Sequence, residues 1–166
     1  PPRRLRLQAL TVSVNYADCL ECIAPNRHHF DRWLVVTEEG DVRTQEVCRR
    51  WGMEVLISQR LHENGGAFHK AAALNEGLAT LDPEAWTIVL DSDILLPSDF
   101  RERLELQTLD PACLYGISGR RICRTVREFR YLAAHEPWGE NLLFSTFVIG
   151  YFHFFHQGQQ HNRPPN

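Results

Sequence analysis

A short acidic turn, Asp91-Ser92-Asp93, carries the clearest chemical signal in the sequence. It follows the apolar run Ile88-Val89-Leu90 and precedes Ile94-Leu95-Leu96-Pro97, so we expect it to end a buried strand. Two carboxylates separated by one residue can both reach a hard divalent cation, whose other positions are filled by water and phosphate oxygens. The turn therefore predicts a metal ion that bridges the protein to a diphosphate; the alternative is an ordinary capped turn.

A second anion-binding signal lies earlier in the chain, where Gly65-Gly66 precede Lys70 and a helical pattern. Backbone donors at a helix start attract anions, and Lys70 adds a mobile positive charge. This combination suits a phosphate group. The alternative is a glycine turn with a solvated lysine, in which Asn75 only caps or packs.

Alternating strand and helix patterns are expected to position these residues. Four short apolar runs predict buried strands, over Leu10–Val14, Trp33–Thr37, Met53–Ile57 and Trp86–Leu90. Helical patterns lie between them, over Asp18–Ala24, Thr44–Trp51 before Gly52, and Lys70–Leu81 with the core-facing stripe Ala71, Leu74, Leu78 and Leu81. This alternation predicts an α/β fold with a mostly parallel sheet flanked by helices.

The later part of the chain has a weaker pattern. A helix is expected to open at Pro97-Ser98, with Asp99 and Glu102 in its first turn and with Phe100 and Leu104 facing inward. Strands are expected around Leu114–Ser118 and Phe147–Phe155. No repeat or Gly/Ser-rich linker divides the sequence, so residues 1–166 are expected to form a single domain.

Composition excludes several classes of function. The net charge of −3 over 166 residues supplies no broad cationic field for nucleic acid. No apolar run approaches the roughly 20 residues of a transmembrane segment, and the five cysteines suit reduced thiols, so we expect a cytoplasmic protein. The pair Cys19 and Cys22 lacks the second pair that a structural zinc site needs. The first residue is not Met and the last five residues show no regular pattern, so we expect processing, truncation, in particular at the C-terminus, or a disordered flank.

Ligands of open parallel sheets bind outside the carboxyl ends of the strands. The segments that follow the four predicted strands are strongly polar: residues 15–18, 37–41, 59–68 and 91–93. We therefore expect one site at this edge of the sheet.

The order and spacing of these motifs resemble the GT-A glycosyltransferases, closest to those of family two. The resemblance spans roughly Thr11 to Gly119, and it implies a Rossmann-like nucleotide-diphospho-sugar transferase fold. It also implies a UDP- or GDP-sugar donor, a Mn²⁺ or Mg²⁺ ion and transfer of the sugar to an acceptor hydroxyl, with inversion. The motifs that carry it are Asn15-Tyr16, Val35-Val36-Thr37 followed by Asp41, residues 68–77 from Phe68 through Lys70 and Asn75 to Gly77, and Leu90-Asp91-Ser92-Asp93-Ile94.

The resemblance assigns a role to each matching position. Asn15 and Tyr16 would border the base and ribose, and Glu38 or Asp41 would meet the nucleoside. Lys70 and Asn75 would lie near the donor, and the acidic turn would serve the ribose and the metal, with Asp91 and Ser92 on the donor and Asp91 and Asp93 on the ion. Thr37-Glu38-Glu39-Gly40 replaces the tighter acidic pair and Gly-Ser that family-two enzymes usually show, so the base is not assigned.

Residues after the acidic turn supply the remaining candidates. Glu136 and Glu140 are candidates for the catalytic base, with surface loop residues as the alternative. His153 or His156 is a candidate for a further metal ligand; strand alternation points them to opposite faces, so at most one lines the site. A stretch with Arg120, Arg121, Arg124, Arg127 and Arg130 could clamp the donor or be a solvated face.

Two other functions fit the same motifs. A nucleotidyltransferase uses a similar sheet and metal, but the first loop, Asn15-Tyr16-Ala17-Asp18, lacks the glycines that close approach of a triphosphate requires. The other is a non-catalytic fragment that binds a nucleotide sugar. An aspartyl phosphatase is disfavoured because no Thr follows the acidic turn.

Overall fold

The computed structural model describes residues 4–65, 68–117, 119–120, 123–135, 143–144 and 152–160. In chain order the strands are β1 (Leu7–Val12), β2 (Arg32–Thr37), β3 (Glu54–Ile57), β4 (Trp86–Leu90), β5 (Gly119–Arg120), β6 (Leu143–Phe144) and β7 (Phe152–His156). The helices are α1 (Ala17–Ile23), α2 (Val42–Trp51), α3 (Lys70–Leu78), α4 (Phe100–Glu105), α5 (Val126–His135) and α6 (Gln157–Gln160). Within these described ranges, every helix is too short or too polar to cross a bilayer.

The predicted parallel sheet is confirmed. Its strand order is β3-β2-β1-β4-β7, and the first four strands are parallel. Each parallel connection passes through a helix, because strands that run in the same direction need a crossover to return the chain to the starting edge. β7 pairs antiparallel with β4, so that Phe152 lies opposite Leu90. The carboxyl ends of β1, β2, β3 and β4 therefore meet at one edge.

Apolar side chains cover both faces of the sheet, as the continuous hydrophobic runs predict. One face packs Trp33, Val35 and Ile88 against residues of α1 and partly buried residues of α4. The other packs Leu10, Val36 and Val89 against residues of α3. Strands β1, β2 and β4 are thus buried in the middle of the fold. The edge strand β3, also predicted to be buried, leaves Glu54 and Val55 exposed.

The core-facing stripe predicted for α3 is confirmed in part. Leu74, Leu78 and Leu81 pack in the core as predicted, whereas Ala71 is exposed and the helix ends at Leu78 rather than Leu81. Ala73 and Gly77, which the stripe did not include, are buried. A Cβ at Gly77 would lie 2.6 Å from Leu10 Cδ1 and 3.0 Å from a Val36 methyl carbon. The small residues set this face because only they permit so close an approach of helix to strand, a fact that hydrophobic periodicity does not register.

Several local predictions are confirmed with small shifts in bounds. α2 begins after its cap Asp41 and ends at Gly52, which adopts the left-handed φ of 66° expected of a terminal glycine. α4 begins at Phe100, later than the predicted Pro97-Ser98 start, and Phe100 and Leu104 pack against the core.

The strand predicted over Leu114–Ser118 is wrong within its described residues, 114–117. In that segment Tyr115 forms a single bridge to Phe154, on the edge of β7 opposite β4, and no longer ladder follows within the described residues. For the strand predicted over Phe147–Phe155, residues 147–151 lie outside the described ranges, and the described strand runs from Phe152 to His156.

Candidate functional site

The acidic turn lies at the carboxyl edge of the sheet, directly after β4, as predicted. Its first carboxylate, on Asp91, forms an ion pair with the ammonium group of Lys70, the first residue of α3. The side chains of Lys70 and Asp91 are 39% and 28% exposed, so the pair lies at the surface, where a ligand can reach it. Asp93 is exposed. Lys70 and Asp91, which lie 21 residues apart in the sequence, are therefore in direct contact.

Asn26 holds the segment that follows the acidic turn. It lies in the 3-10 helix after α1 and is 1% exposed. Its amide nitrogen donates to the Ile94 carbonyl oxygen at 2.8 Å, and its amide oxygen accepts from the Leu96 backbone N–H at 2.8 Å. An amide is one of the few side chains that can satisfy a backbone donor and a backbone acceptor at once. Asn26 thus positions the turn from a distance of 68 residues in sequence.

Asp41 has a structural role at the end of β2. Its carboxylate is 5% exposed and accepts from the Asn15 backbone N–H at 2.7 Å, the Thr44 backbone N–H at 3.1 Å and the Thr37 hydroxyl at 3.3 Å. Burial opposes ionisation of this carboxyl, but the hydrogen bonds from Thr44, Asn15 and Thr37 outweigh it and lower its pKa. The carboxylate caps α2 and fixes the first loop, so its described contacts do not direct it to a nucleoside.

The loop after β1 presents Asn15 and Tyr16 at the same edge. Asn15 adopts a left-handed φ of 59°, which asparagine tolerates better than most residues. Tyr16 precedes α1, and its side chain is exposed, as stacking on a base or ribose would require. The structure thus places both residues after β1 at the carboxyl edge of the sheet, as predicted, and their contact with a base or ribose stays a prediction.

Glu38 and His62 form a polar pair between the loops after β2 and β3. His62 Nε2 lies 3.0 Å from Glu38 Oε2, and His62 is the more exposed of the two. Glu38 was a sequence candidate, whereas His62 was not, because a lone histidine in a polar loop has no distinctive spacing. Because β2 lies two strands from β4, this pair is about 10 Å across the sheet from the acidic turn.

Asn75 does not join this group. It lies on the exposed face of α3 together with Ala71 and Ala79, whereas Ala73 and Gly77 face the sheet. Lys70 is five residues earlier in the helix, which turns the two side chains roughly 140° apart. The structure thus separates Asn75 from Lys70, and its position near the donor stays a prediction.

The two histidines of β7 lie at different distances from the acidic turn. His156 pairs with Trp86, five residues before Asp91, so it is about 16 Å away along the strand and cannot share an ion with the turn. His153 pairs with Val89, about 7 Å along the strand from Asp91. Strand alternation puts the histidines on opposite faces, as predicted, with His156 against the Trp86 ring.

A metal ion would have two protein carboxylates at this edge. No group of three or more His, Cys, Asp or Glu side chains able to hold an ion occurs within the described ranges. Asp91 and Asp93 nevertheless suit Mg²⁺ or Mn²⁺, since such ions are commonly held by one or two carboxylates while phosphate oxygens and water complete the sphere.

The remaining candidates fall partly outside the described residues. Glu136 and Glu140 lie there, as do Arg121 and the side chain of Arg120. Arg130, on α5, donates through Nε to the Cys22 sulfur at 3.3 Å, so this arginine contacts α1. The two candidates for a catalytic base thus lie outside the described ranges, and their role stays a prediction.

Similarity to one solved structure supports the fold. The structure of 4-diphosphocytidyl-2C-methyl-D-erythritol synthase matches 94% of this chain and 77% of its own, with a TM-score of 0.54 and 15% identity. Mannosyl-3-phosphoglycerate synthase from Rubrobacter xylanophilus matches 54% of this chain and 31% of its own, with a TM-score of 0.44 and 26% identity. No family model and no curated protein matches the sequence. The chain has a Rossmann-like fold, a mostly parallel sheet flanked by helices, as the sequence predicted, and it shares this fold with the synthase.

Proposed function

We propose that this chain transfers a sugar from a nucleotide-diphosphate donor to an acceptor hydroxyl, with inversion, and that a Mn²⁺ or Mg²⁺ ion assists. The observation that carries the proposal is the meeting of Lys70, Asp91 and Asp93 at the carboxyl edge of the parallel sheet. A cation, a helix start and two carboxylates together suit a metal-bound diphosphate.

The nucleoside is assigned to the other half of the same edge. Glu38 and His62 present polar groups there, about 10 Å across the sheet from the acidic turn, and Tyr16 presents its ring on the loop after β1, the strand between β2 and β4. A donor laid across the strand ends would therefore place its base near β2 and its diphosphate near β4. The Asp41 carboxylate stabilises the adjoining loop, because it accepts a hydrogen bond from the Asn15 backbone N–H.

The reaction would proceed by a single displacement. The acceptor oxygen bonds to the anomeric carbon as the bond from that carbon to the diphosphate oxygen breaks, and the hydroxyl proton passes to a carboxylate base, for which Glu136 and Glu140 are the candidates. The leaving nucleoside diphosphate gains negative charge, which Lys70 and the start of α3 would stabilise. When bound, the ion would act as a Lewis acid on the same oxygens.

Isothermal titration with UDP- and GDP-sugars tests donor binding. With Mn²⁺ present, Asp91→Asn and Asp93→Asn should each weaken donor binding by at least about tenfold. Substitution of a residue that only hydrogen-bonds a metal ligand already lowers metal affinity by about this factor. Asp99→Asn is the matched control, because the Asp99 carboxylate pairs with Arg103 on the exposed side of α4. Donor affinity that needs no metal and is unchanged in both turn variants would refute the proposal.

Donor hydrolysis separates an enzyme from a binding fragment. Transferases commonly hydrolyse their donor slowly when acceptor is missing, so release of nucleoside diphosphate is expected from the wild-type chain and should be lost in Asp91→Asn. Donor binding with neither hydrolysis nor transfer would instead indicate a non-catalytic nucleotide-sugar-binding domain.

Nucleotidyl transfer is the second candidate, because the synthase with a TM-score of 0.54 shares this fold. The first loop argues against it: β1 ends at Val12, α1 begins at Ala17, and the four residues between them contain no glycine. Close approach of a triphosphate to the backbone is easiest at glycine. Pyrophosphate release from a nucleoside triphosphate and a sugar phosphate would establish this activity in place of sugar transfer.

A further inference from the structure

Lys70 is the single lysine of the sequence, since 17 of the 18 Lys and Arg residues are arginine. An ammonium group is a compact point charge on a flexible stem, whereas a guanidinium group is a rigid fork that fits one carboxylate geometry best. The chain thus places its most mobile cation at the diphosphate end of the candidate site.

Lys70 pairs with Asp91, which the proposed function assigns to the metal ion. The ammonium group holds Asp91, so one of the two carboxylates of the acidic turn is already neutralised. An ion that approaches alone meets the exposed Asp93 and a positive charge at Asp91. The ammonium group of Lys70 and the incoming ion are both positive and repel each other, so the ion alone should bind weakly.

A bound diphosphate changes this balance. It carries more negative charge than one carboxylate, and it would lie at the start of α3, where backbone N–H groups also attract anions. Both side chains are partly exposed, so neither has to leave a packed core to change partner. Lys70 can therefore move from Asp91 to the phosphate oxygens by rotation of its stem.

We infer that Asp91 exchanges partners when the donor binds: Lys70 moves to the diphosphate and leaves the Asp91 carboxylate to the ion. This inference rests on the proposed function and adds the order of events at its site. The ammonium group competes with the ion when no nucleotide is present and cooperates with it when nucleotide is bound. Nucleotide and ion consequently bind together more tightly than either binds alone.

The test measures Mn²⁺ affinity by the paramagnetic resonance signal of the free ion, with and without UDP or GDP. Lys70→Met should bind Mn²⁺ alone at least about threefold more tightly than the wild type, the scale of one partly exposed ion pair. The same variant should bind nucleotide more weakly at saturating Mn²⁺. Arg103→Met, which frees the Asp99 carboxylate on α4, is the matched control and should change neither affinity.

A second readout uses the uniqueness of the lysine. The rate of Lys70 acetylation is measured by peptide mass spectrometry. Nucleotide with Mn²⁺ should slow it, because the Lys70 amine then pairs with the phosphate. Acetylation should be accelerated by Mn²⁺ alone, because the ion displaces the amine from Asp91. Thermal unfolding of each variant checks that it is folded.

The outcomes separate the two claims. The partner exchange alone is overturned if Lys70→Met binds free Mn²⁺ no more tightly than the wild type does, while nucleotide binding by the wild type still depends on the metal. A wild-type chain that binds neither UDP nor GDP with Mn²⁺ would overturn the proposed function and the exchange with it.

Discussion

Asn26→Ala should both destabilise the fold and weaken metal binding. The wild-type amide is buried and bridges the Ile94 carbonyl oxygen and the Leu96 backbone N–H, the segment directly after the acidic turn. Alanine removes both hydrogen bonds and leaves the two backbone groups without these partners. The segment is then free to shift, and Asp93, one residue before Ile94, shifts with it.

The size of the effect follows from the two bonds. A buried polar group left unsatisfied costs about 1–3 kcal/mol, and water that enters the small cavity recovers part of this. We therefore expect the free energy of unfolding to fall by about 2–4 kcal/mol. Since this is a large part of the stability of a typical domain, the variant should unfold at a markedly lower urea concentration.

Urea unfolding followed by circular dichroism measures the stability, and Mn²⁺ titration in the presence of UDP or GDP measures the site. Asn75→Ala is the matched control, because Asn75 is exposed on α3 and its loss should change stability by less than about 0.5 kcal/mol. A loss below about 1 kcal/mol in Asn26→Ala, with unchanged Mn²⁺ affinity, would refute the role of Asn26 as the anchor of the turn.

Two further predictions concern titration and the nucleoside side of the site. Burial, with a smaller contribution from His28, lowers the pKa of His29 to about 4 from 6.5, so the unfolded chain binds this proton more tightly and stability falls as pH drops from 6.5 toward 4. The expected loss is about 2 kcal/mol between pH ~7.5 and pH ~5, and urea unfolding of His29→Leu should show a shallower pH dependence; an unchanged slope would contradict it. Glu38→Gln should lower nucleoside diphosphate affinity by about three- to tenfold, the effect expected from loss of one hydrogen bond, and should leave Mn²⁺ affinity unchanged. If titration finds both affinities unchanged, Glu38 is not part of the site.

Local sequence patterns determined the framework of this protein. Four apolar runs were enough to predict β1 to β4 and their parallel pairing, because continuously hydrophobic runs favour strands of a parallel sheet and the connections between such strands are usually helices. The position of Asp91 and Asp93 at the sheet edge followed from the same reasoning, since a polar turn that ends a buried strand can lie only there. Gly52 likewise marked the end of α2, because few other residues adopt its backbone conformation readily.

Tertiary structure alone decided how the polar residues divide their roles. Asp41 and Asp91 are both carboxylates at strand ends, yet Asp41 is buried under three hydrogen bonds and Asp91 pairs with a mobile lysine. Asn26 became an anchor and Asn75 a surface residue for the same reason: a side chain's partners come from segments far away in sequence. Hydrophobic periodicity reports which face is buried but carries no record of which distant donor or acceptor a polar group will meet. The packing of α3 through Ala73 and Gly77 brings Lys70 to Asp91, and that contact defines the site.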